Sequence, residues 1–197
     1  MSTLYVVSAA TTQWGHWGDY AAILLHGMTA HLGRRGGSLQ LERTGPFVPR
    51  ITFPGVGDIV LTEVARQEAE AELPSLSFRR VWSTRIVRLD WSAWDAALEE
   101  PPVFPETGEP EDYILGQPHD PALAEQLGQF WELVPKVTPE IQGGKGTARI
   151  AAYQGEHLVR ANVSGGYNFV SAELRSVLLS VAGECVAFRE AAIERDA

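Results

Sequence analysis

The chain has 197 residues, of which 45% are apolar and 21% are charged, a composition typical of a folded domain with a real core. Its formal net charge of −9 argues against a nucleic-acid-binding protein, because phosphate backbones are bound by clusters of Lys and Arg. The single cysteine, Cys185, excludes an internal disulfide and a cysteine-rich zinc module, and it favours a cytoplasmic protein. The apolar runs are short, so we expect neither a signal peptide nor a membrane span.

The first predicted elements are a strand, a helix and a second strand. Residues 4–8 are rich in β-branched and aromatic side chains and predict a strand. An apolar stripe with helical spacing then runs from Asp19, the predicted N-cap, to Leu32, and Gly33 is placed to end the helix. Residues 39–42 alternate and predict a short strand.

A strand–helix–strand pattern follows and is repeated near the C-terminus. In the first copy, residues 58–61 predict a strand, Thr62 a helix N-cap, residues 64–73 the helix and residues 76–81 the returning strand. From the cap to the phenylalanine of the returning strand, Phe78, the spacing is 16 residues, and in the second copy, from Ser171 to Phe188, it is 17.

The second copy has the same order of signals. Residues 168–170 predict a strand, Ser171 the N-cap and Gly183 the end of the helix, and residues 185–188 the returning strand. The sequence therefore predicts an α+β fold with a mixed, largely antiparallel sheet and a few short helices, and the repeat suggests two similar strand–helix–strand halves.

The chain between the two copies predicts further elements. Residues 83–91 alternate and predict a strand, and the proline-rich residues 101–121 predict a long loop. Residues 121–133 predict a helix, and residues 149–153 and 158–163 predict two strands joined by a hairpin loop.

The same pattern suggests a division of the chain. We expect an N-terminal α+β half at residues 1–100, an acidic proline-rich loop at residues 101–121 and a C-terminal α+β half at residues 122–197, which can also form one continuous domain.

Residues that could bind a metal or a nucleotide are poorly spaced for either role. His26 and His31 are five residues apart and do not share a helix face, and His16 adds no HExxH pattern. Gly143–Thr147 resembles a phosphate-binding loop, but a strand rather than a helix is predicted after it. We therefore expect no metal site and no cofactor.

The most distinctive feature is an acidic segment between Leu89 and Pro135, which contains no Lys or Arg. Its acids are Asp90, Asp95, Glu99, Glu100, Glu106, Glu109, Glu111, Asp112, Asp120, Glu125 and Glu132. Segregated charge sets up a local field that attracts a cationic partner, and aromatic residues of the kind found here are common interface anchors. It is equally open that the segment is a solvated loop. The predicted partner-binding residues are Glu106, Glu109, Glu111, Asp112 and Tyr113.

Some of these segments resemble a known family. Residues 41–49, residues 53–62, Ser77–Val81 and the Asn168–Ser171 unit resemble immunity proteins of bacterial contact-dependent toxin systems, and the nearest group is the myxobacterial "double CXXCG" immunity-like family. The chain lacks the paired cysteines of that group. The resemblance implies a cytoplasmic protein that binds and neutralises a cognate toxin.

Three functions follow from these patterns. The first is a non-catalytic immunity-like protein that binds a basic toxin through its acidic surface. The second is a hydrolase that uses carboxylates or His16. The third is a carbohydrate-binding module that uses Trp14 and Trp17, although these rings can equally belong to the core.

Overall fold

The computed structural model of the protein describes residues 3–10, 19–93, 95, 98, 105–136, 141–144, 147–150, 153–160 and 167–194. The helices are α1 (Asp19–His26), α2 (Glu63–Glu72), α3 (Asp112–Leu115), α4 (Pro121–Leu127) and α5 (Ala172–Ala182), with short 3-10 turns at Trp91–Ala93 and Gly183–Cys185. The strands are β1 (Leu4–Ala9), β2 (Arg34–Arg35), β3 (Ser38–Gly45), β4 (Ile51–Thr52), β5 (Val60–Thr62), β6 (Ser77–Arg88), β7 (Phe130–Val134), β8 (Ile141–Gly144), β9 (Thr147–Ile150), β10 (Leu158–Arg160), β11 (Asn168–Ser171) and β12 (Val186–Glu194).

The strands form two six-stranded sheets whose internal order is the same. Sheet A has the order β2-β3-β6-β7-β5-β4, and sheet B has the order β8-β9-β12-β1-β11-β10. In each sheet one pair is parallel, β3 with β6 and β9 with β12, and the other pairs are antiparallel. The predicted α+β fold with largely antiparallel sheets is confirmed.

Each sheet is built around one crossover helix. Helix α2 connects β5 to β6, and helix α5 connects β11 to β12. In both sheets the two connected strands are separated by one antiparallel strand, which is β7 in sheet A and β1 in sheet B. The two strand–helix–strand units predicted from the sequence are therefore present and have one topology.

The two helices begin with the same cap geometry. Thr62 has φ −67° and ψ 163°, and Ser171 has φ −68° and ψ 167°. The hydroxyl oxygen of Thr62 accepts a hydrogen bond from the N–H of Ala65 at 3.3 Å, and that of Ser171 accepts one from Leu174 at 3.2 Å. Both predicted N-caps are confirmed, because each hydroxyl satisfies a backbone donor that the first turn leaves unpaired.

The equivalence extends to a stacked pair under each helix. The guanidinium of Arg66 on α2 lies 4.9 Å from the ring centroid of Trp131 on β7. The guanidinium of Arg175 on α5 lies 4.9 Å from the ring of Tyr5 on β1. Each arginine lies four positions after the N-cap of its helix. Each ring belongs to the residue that pairs, on the neighbouring strand, with the residue just before that cap.

One apolar core joins the two units. It includes fully buried residues from β5, β7, β11 and both crossover helices, with Ala65 and Ala69 on α2 and Leu174 and Leu178 on α5. The helices also meet through the hydroxyl of Ser180, which donates to Glu72 at 2.9 Å. The sheets are therefore held together by burial of one shared apolar surface.

Several predicted elements differ from the structure. Helix α1 ends at His26 and not near Leu32, because Gly27 adopts a positive φ of 78° and a Cβ there would lie 2.7 Å from the Arg43 Cβ. The strands predicted at 76–81 and 83–91 are one strand, β6.

Two further predictions are wrong, one about where a helix ends and one about which strands pair. The helix predicted to reach residue 133 ends at Leu127, and Phe130–Val134 is strand β7 instead. Strands β9 and β10 do not form a hairpin, since β9 pairs with β8 and β12 whereas β10 pairs with β11. In both cases a partner distant in sequence decides the pairing.

The predicted halves at residues 1–100 and 122–197, with the loop at 101–121, stay a prediction as domains. The two sheets do not follow those boundaries. Strand β1, from the N-terminal half, belongs to sheet B, and strand β7, from the C-terminal half, belongs to sheet A.

Because Leu4 pairs with Ala191, the first and last strands meet at one end of sheet B. A circular permutant that joins the two ends of the chain with a short Gly/Ser linker, and that is opened between Lys136 and Ile141, should therefore fold and unfold cooperatively in urea. Permutation is tolerated where ends lie close and the opening falls between elements. A control opened inside β7, between Trp131 and Glu132, should lose cooperative unfolding. Equal loss in both permutants would contradict the proposed equivalence of β1 and β7.

Candidate functional site

Most of the acidic segment lies in the long connection between β6 and β7, residues 89–129. This connection contains α3 and α4 and packs against α1. Ile114 on α3 is fully buried with Met28 and Val87. The described part of the connection is therefore attached to the outside of sheet A by its own small apolar cluster.

Aromatic rings fix the acidic part of this connection. Tyr20 on α1 packs edge-on against Tyr113, with ring centroids 6.1 Å apart, and its hydroxyl donates a hydrogen bond to the carbonyl of Gly108. Phe47 packs edge-on against Trp91 with centroids 5.5 Å apart and keeps 39% of its surface exposed. Edge-on pairs of this kind add specific geometry to apolar burial.

The structure brings the five predicted partner-binding residues together on residues 106–113. Glu106 and Glu109 are exposed, whereas Glu111, Asp112 and Tyr113 are partly buried. Among the described residues, no Lys or Arg forms an ion pair with any of these four carboxylates. The five residues are neighbours in the sequence, and their binding role stays a prediction.

Two of the five also have local structural roles. The hydroxyl of Thr107 donates a hydrogen bond to Asp112, which begins α3. Burial, followed by the neighbouring Tyr20, raises the pKa of Tyr113. Glu106, Glu109 and Glu111 are thus the carboxylates of the group that are most available to a partner.

Other acids of the acidic segment have partners within the fold, although the segment itself contains no Lys or Arg. Asp120 caps α4 by accepting a hydrogen bond from the N–H of Leu123 at 2.8 Å and lies 3.2 Å from the guanidinium of Arg88. The backbone bond from Leu123, and then Arg88, lower the pKa of Asp120. Asp90 accepts hydrogen bonds from the backbone and hydroxyl of Ser92.

Glu132 is the centre of a buried charged cluster. Its side chain is 1% exposed, and both carboxylate oxygens accept hydrogen bonds from Arg34, at 2.8 and 2.9 Å. Arg79 and Arg160 lie 3.8 and 3.6 Å from the same carboxylate. The hydrogen bonds to Glu132 raise the pKa of Arg34. Three cations thus converge on one acid that no longer contributes to an exposed acidic surface.

The same cluster connects the two sheets. Arg160 on β10 lies 3.6 Å from Asp58 and donates to the side chain of Asn168 at 3.2 Å. Asn168 on β11 donates to the carbonyl of Gly57 at 2.8 Å, and Thr29 donates to Asp58 at 2.6 Å. The sequence analysis did not identify this cluster. The feature that could have indicated it is a Glu within the otherwise apolar segment Phe130–Val134.

Arg43 is a buried cation with no acidic partner among the residues that the structure describes. Arg43 is fully buried, its guanidinium lies 5.2 Å from the ring of Phe130, and it donates to the carbonyls of Leu25 and Thr44. Burial lowers its pKa to about 9. Burial, followed by Arg43, lowers the pKa of His26 to about 4. At pH 7 His26 is therefore neutral, whereas Arg43 keeps its charge.

The residues considered for metal or nucleotide chemistry are separated. His26 accepts a hydrogen bond from the N–H of Phe53, and His31 lies 2.8 Å from Glu42. Gly143 and Gly144 end strand β8 of a hairpin with β9. Within the described ranges no three His, Cys, Asp or Glu side chains are grouped as metal ligands would be.

The hydrolase and carbohydrate-binding hypotheses stay predictions. His16, Trp14 and Trp17 lie outside the described residues. His157 lies 2.9 Å from the hydroxyl of Ser171, beside a small cavity of about 120 Å³, but that hydroxyl is the cap of α5 and is not placed as a nucleophile.

Comparison with known proteins leaves the chain without an assigned relative: no family model, no curated protein and no solved structure matches it. In the part of the chain that the structure describes, no helix has the length and apolar character needed to cross a membrane.

Replacing Glu132 by Gln should lower the free energy of unfolding by about 3 kcal/mol, because removing one partner of a buried ion pair leaves the other uncompensated. Urea unfolding at pH 7 measures the change. The exposed acid Glu125 on α4 provides the control, and its replacement by Gln should change stability by less than about 0.5 kcal/mol. Similar losses in both variants would contradict the central position given to Glu132.

The low pKa of His26 predicts a pH dependence of stability. With a folded-state pKa of about 4 against an ordinary value of 6.5, the unfolded chain binds a proton between these pH values that the folded protein does not. The free energy of unfolding should therefore fall as pH drops through this window, by about 2–3 kcal/mol. Replacement of His26 by Gln keeps an acceptor for the Phe53 N–H and should reduce this slope. Parallel stability curves from pH 7.5 to pH 4 would exclude His26 as their cause.

Proposed function

We propose that the protein is a non-catalytic, immunity-like binding protein that neutralises a basic toxin through the acidic face of the β6–β7 connection. The observation that carries the proposal is the placement of Glu106, Glu109 and Glu111. They are grouped and unpaired with any described base, and they lie on a segment that the two equivalent sheets do not need for their own pairing.

The strand pairing supports a separate role for this segment. None of the described residues between 89 and 129 belongs to a strand, so the two sheets pair without them. A segment that is added to a scaffold, and anchored by its own apolar cluster, is free to serve recognition, as loops on rigid scaffolds commonly do. The scaffold would then hold the acidic face in a fixed orientation.

The neighbouring aromatic residues support a protein partner. Phe47, Tyr20, Tyr113 and Trp91 form two edge-on pairs at the base of the acidic face, and Phe47 is partly exposed. Protein interfaces combine aromatic anchors with a polar rim. Rim carboxylates would then act on the rate of association and on the choice of partner, since complementary charge steers encounter.

The net charge of −9 and the resemblance to immunity proteins favour a basic toxin as that partner. Opposite charge raises the association rate, and like charge suppresses binding of acidic proteins. An inhibitor that must bind a toxin before it acts gains directly from fast association.

The test begins with capture of the partner from the producing cell and its identification, followed by binding kinetics on the purified pair. The double variant Glu106→Lys, Glu109→Lys should lower the association rate at least about tenfold at low salt and flatten its salt dependence. The control variant Glu125→Lys, Glu190→Lys makes the same change in net charge at exposed acids outside residues 106–113 and should have a smaller effect. Equal effects in the two variants would assign the steering to net charge alone.

Neutralisation needs a second readout. Co-expression of the protein should restore growth to cells that express the identified partner, and the Glu106, Glu109 variant should restore it less well. A partner that binds but stays equally toxic in the presence of the protein would contradict the immunity role.

A further inference from the structure

A second charged surface, opposite in sign to the acidic face, lies on sheet A. Trp82 on β6 is 41% exposed, and two exposed guanidinium groups stack against it. Arg35 lies 5.5 Å and Arg80 5.1 Å from the centroid of its ring. We call Arg35, Arg80 and Trp82 the Arg–Trp patch.

The patch continues a row of alternating arginine and tryptophan across the sheet. Arg80 is the cross-strand neighbour of Trp131, on which Arg66 stacks. The two ends of the row differ in their charge balance. Arg66 pairs with glutamates of its own helix, whereas Arg35 and Arg80 form no ion pair with any residue that the structure describes.

The unpaired end has the chemistry of a binding surface. An exposed tryptophan flanked by two guanidinium groups offers an aromatic surface and several N–H donors close together. Donors of this kind bind carboxylates with two hydrogen bonds, and the ring packs well against a proline. A matching ligand is therefore a short exposed segment with two or more carboxylates and a proline between them.

We propose that this ligand is the acidic loop of a second copy of the protein, residues 105–112. The loop has the sequence Pro-Glu-Thr-Gly-Glu-Pro-Glu-Asp, and Glu106 and Glu109 are exposed. Charge complementarity carries the assignment, since unpaired acids and unpaired arginines occur on two separate surfaces of one chain. Within one molecule the described residues of the loop and of the patch form no ion pair with each other.

The patch and the loop are different surfaces of one chain, so two arrangements satisfy the contact. Where each of two copies binds the loop of the other, a closed symmetric dimer forms. Where the patch of one copy binds the loop of the next, rings or open chains form. The proposal does not depend on the proposed immunity function, but a basic partner and a second copy would compete for the same acidic loop.

Sedimentation velocity over a range of protein concentrations tests the association. At about 0.01 M salt, where the Debye length is about 30 Å, the average mass should rise above the 21.6 kDa of the monomer as concentration increases. At about 1 M salt, where the Debye length is about 3 Å, it should return to the monomer mass. A monomer at every concentration in low salt would overturn the proposal.

Two charge-reversal variants identify the surfaces. Arg35→Glu with Arg80→Glu, and separately Glu106→Arg with Glu109→Arg, should each be monomeric, since patch and loop then carry like charges. An equimolar mixture of the two variants should associate again, because each supplies the charge that the other has lost. Circular dichroism confirms that both variants are folded.

Matched controls change charge elsewhere. Arg189→Glu, and Glu125→Arg with Glu190→Arg, alter exposed residues outside both surfaces and should leave self-association unchanged. A mixture that stays monomeric, or controls that abolish association equally, would overturn the proposal. The Arg35, Arg80 variant should keep the binding kinetics of an identified partner, so this proposal and the proposed function can fail separately.

Discussion

The architecture depends on one geometric constraint, the gap that each crossover leaves in its sheet. A strand–helix–strand crossover produces two parallel strands, and in both sheets these strands stand one strand apart. The gap exposes backbone donors and acceptors on both sides, which must be paired. An antiparallel strand fills it in each case, β7 in sheet A and β1 in sheet B.

This constraint explains how the chain is distributed between the sheets. A strand that fills a gap can come from any part of the chain, because its hydrogen bonds depend on backbone geometry and not on connectivity. In sheet A it arrives after the long β6–β7 connection, and in sheet B it is the first strand of the protein. The sheet therefore tolerates a long segment before β7, and that segment carries the candidate functional surface.

The same gap-filling strand places a charge where apolar residues are usual. Glu132 on β7 corresponds in register to Val6 on β1. Glu132 lies opposite Val60, two positions before the cap Thr62, and Val6 lies opposite Phe169, two positions before the cap Ser171. A buried carboxylate needs compensating cations. Arg34 of sheet A donates hydrogen bonds to Glu132, and Arg160 of sheet B lies 3.6 Å from the same carboxylate. The acidic segment thus contains one acid that holds the scaffold together and several that remain open to solvent.

The sequence by itself determined the local features: the caps Thr62 and Ser171, the two strand–helix–strand units and the segregation of acids between Leu89 and Pro135. These depend on residues a few positions apart, where hydrogen bonding and periodicity act directly. Only the tertiary structure decided that Phe130–Val134 is a strand, that β1 completes sheet B, and that Glu132 meets Arg34 across 98 positions of chain. Such pairings are set by the backbone groups and charges that folding leaves to be satisfied, and residues near each other in the sequence do not identify the partners.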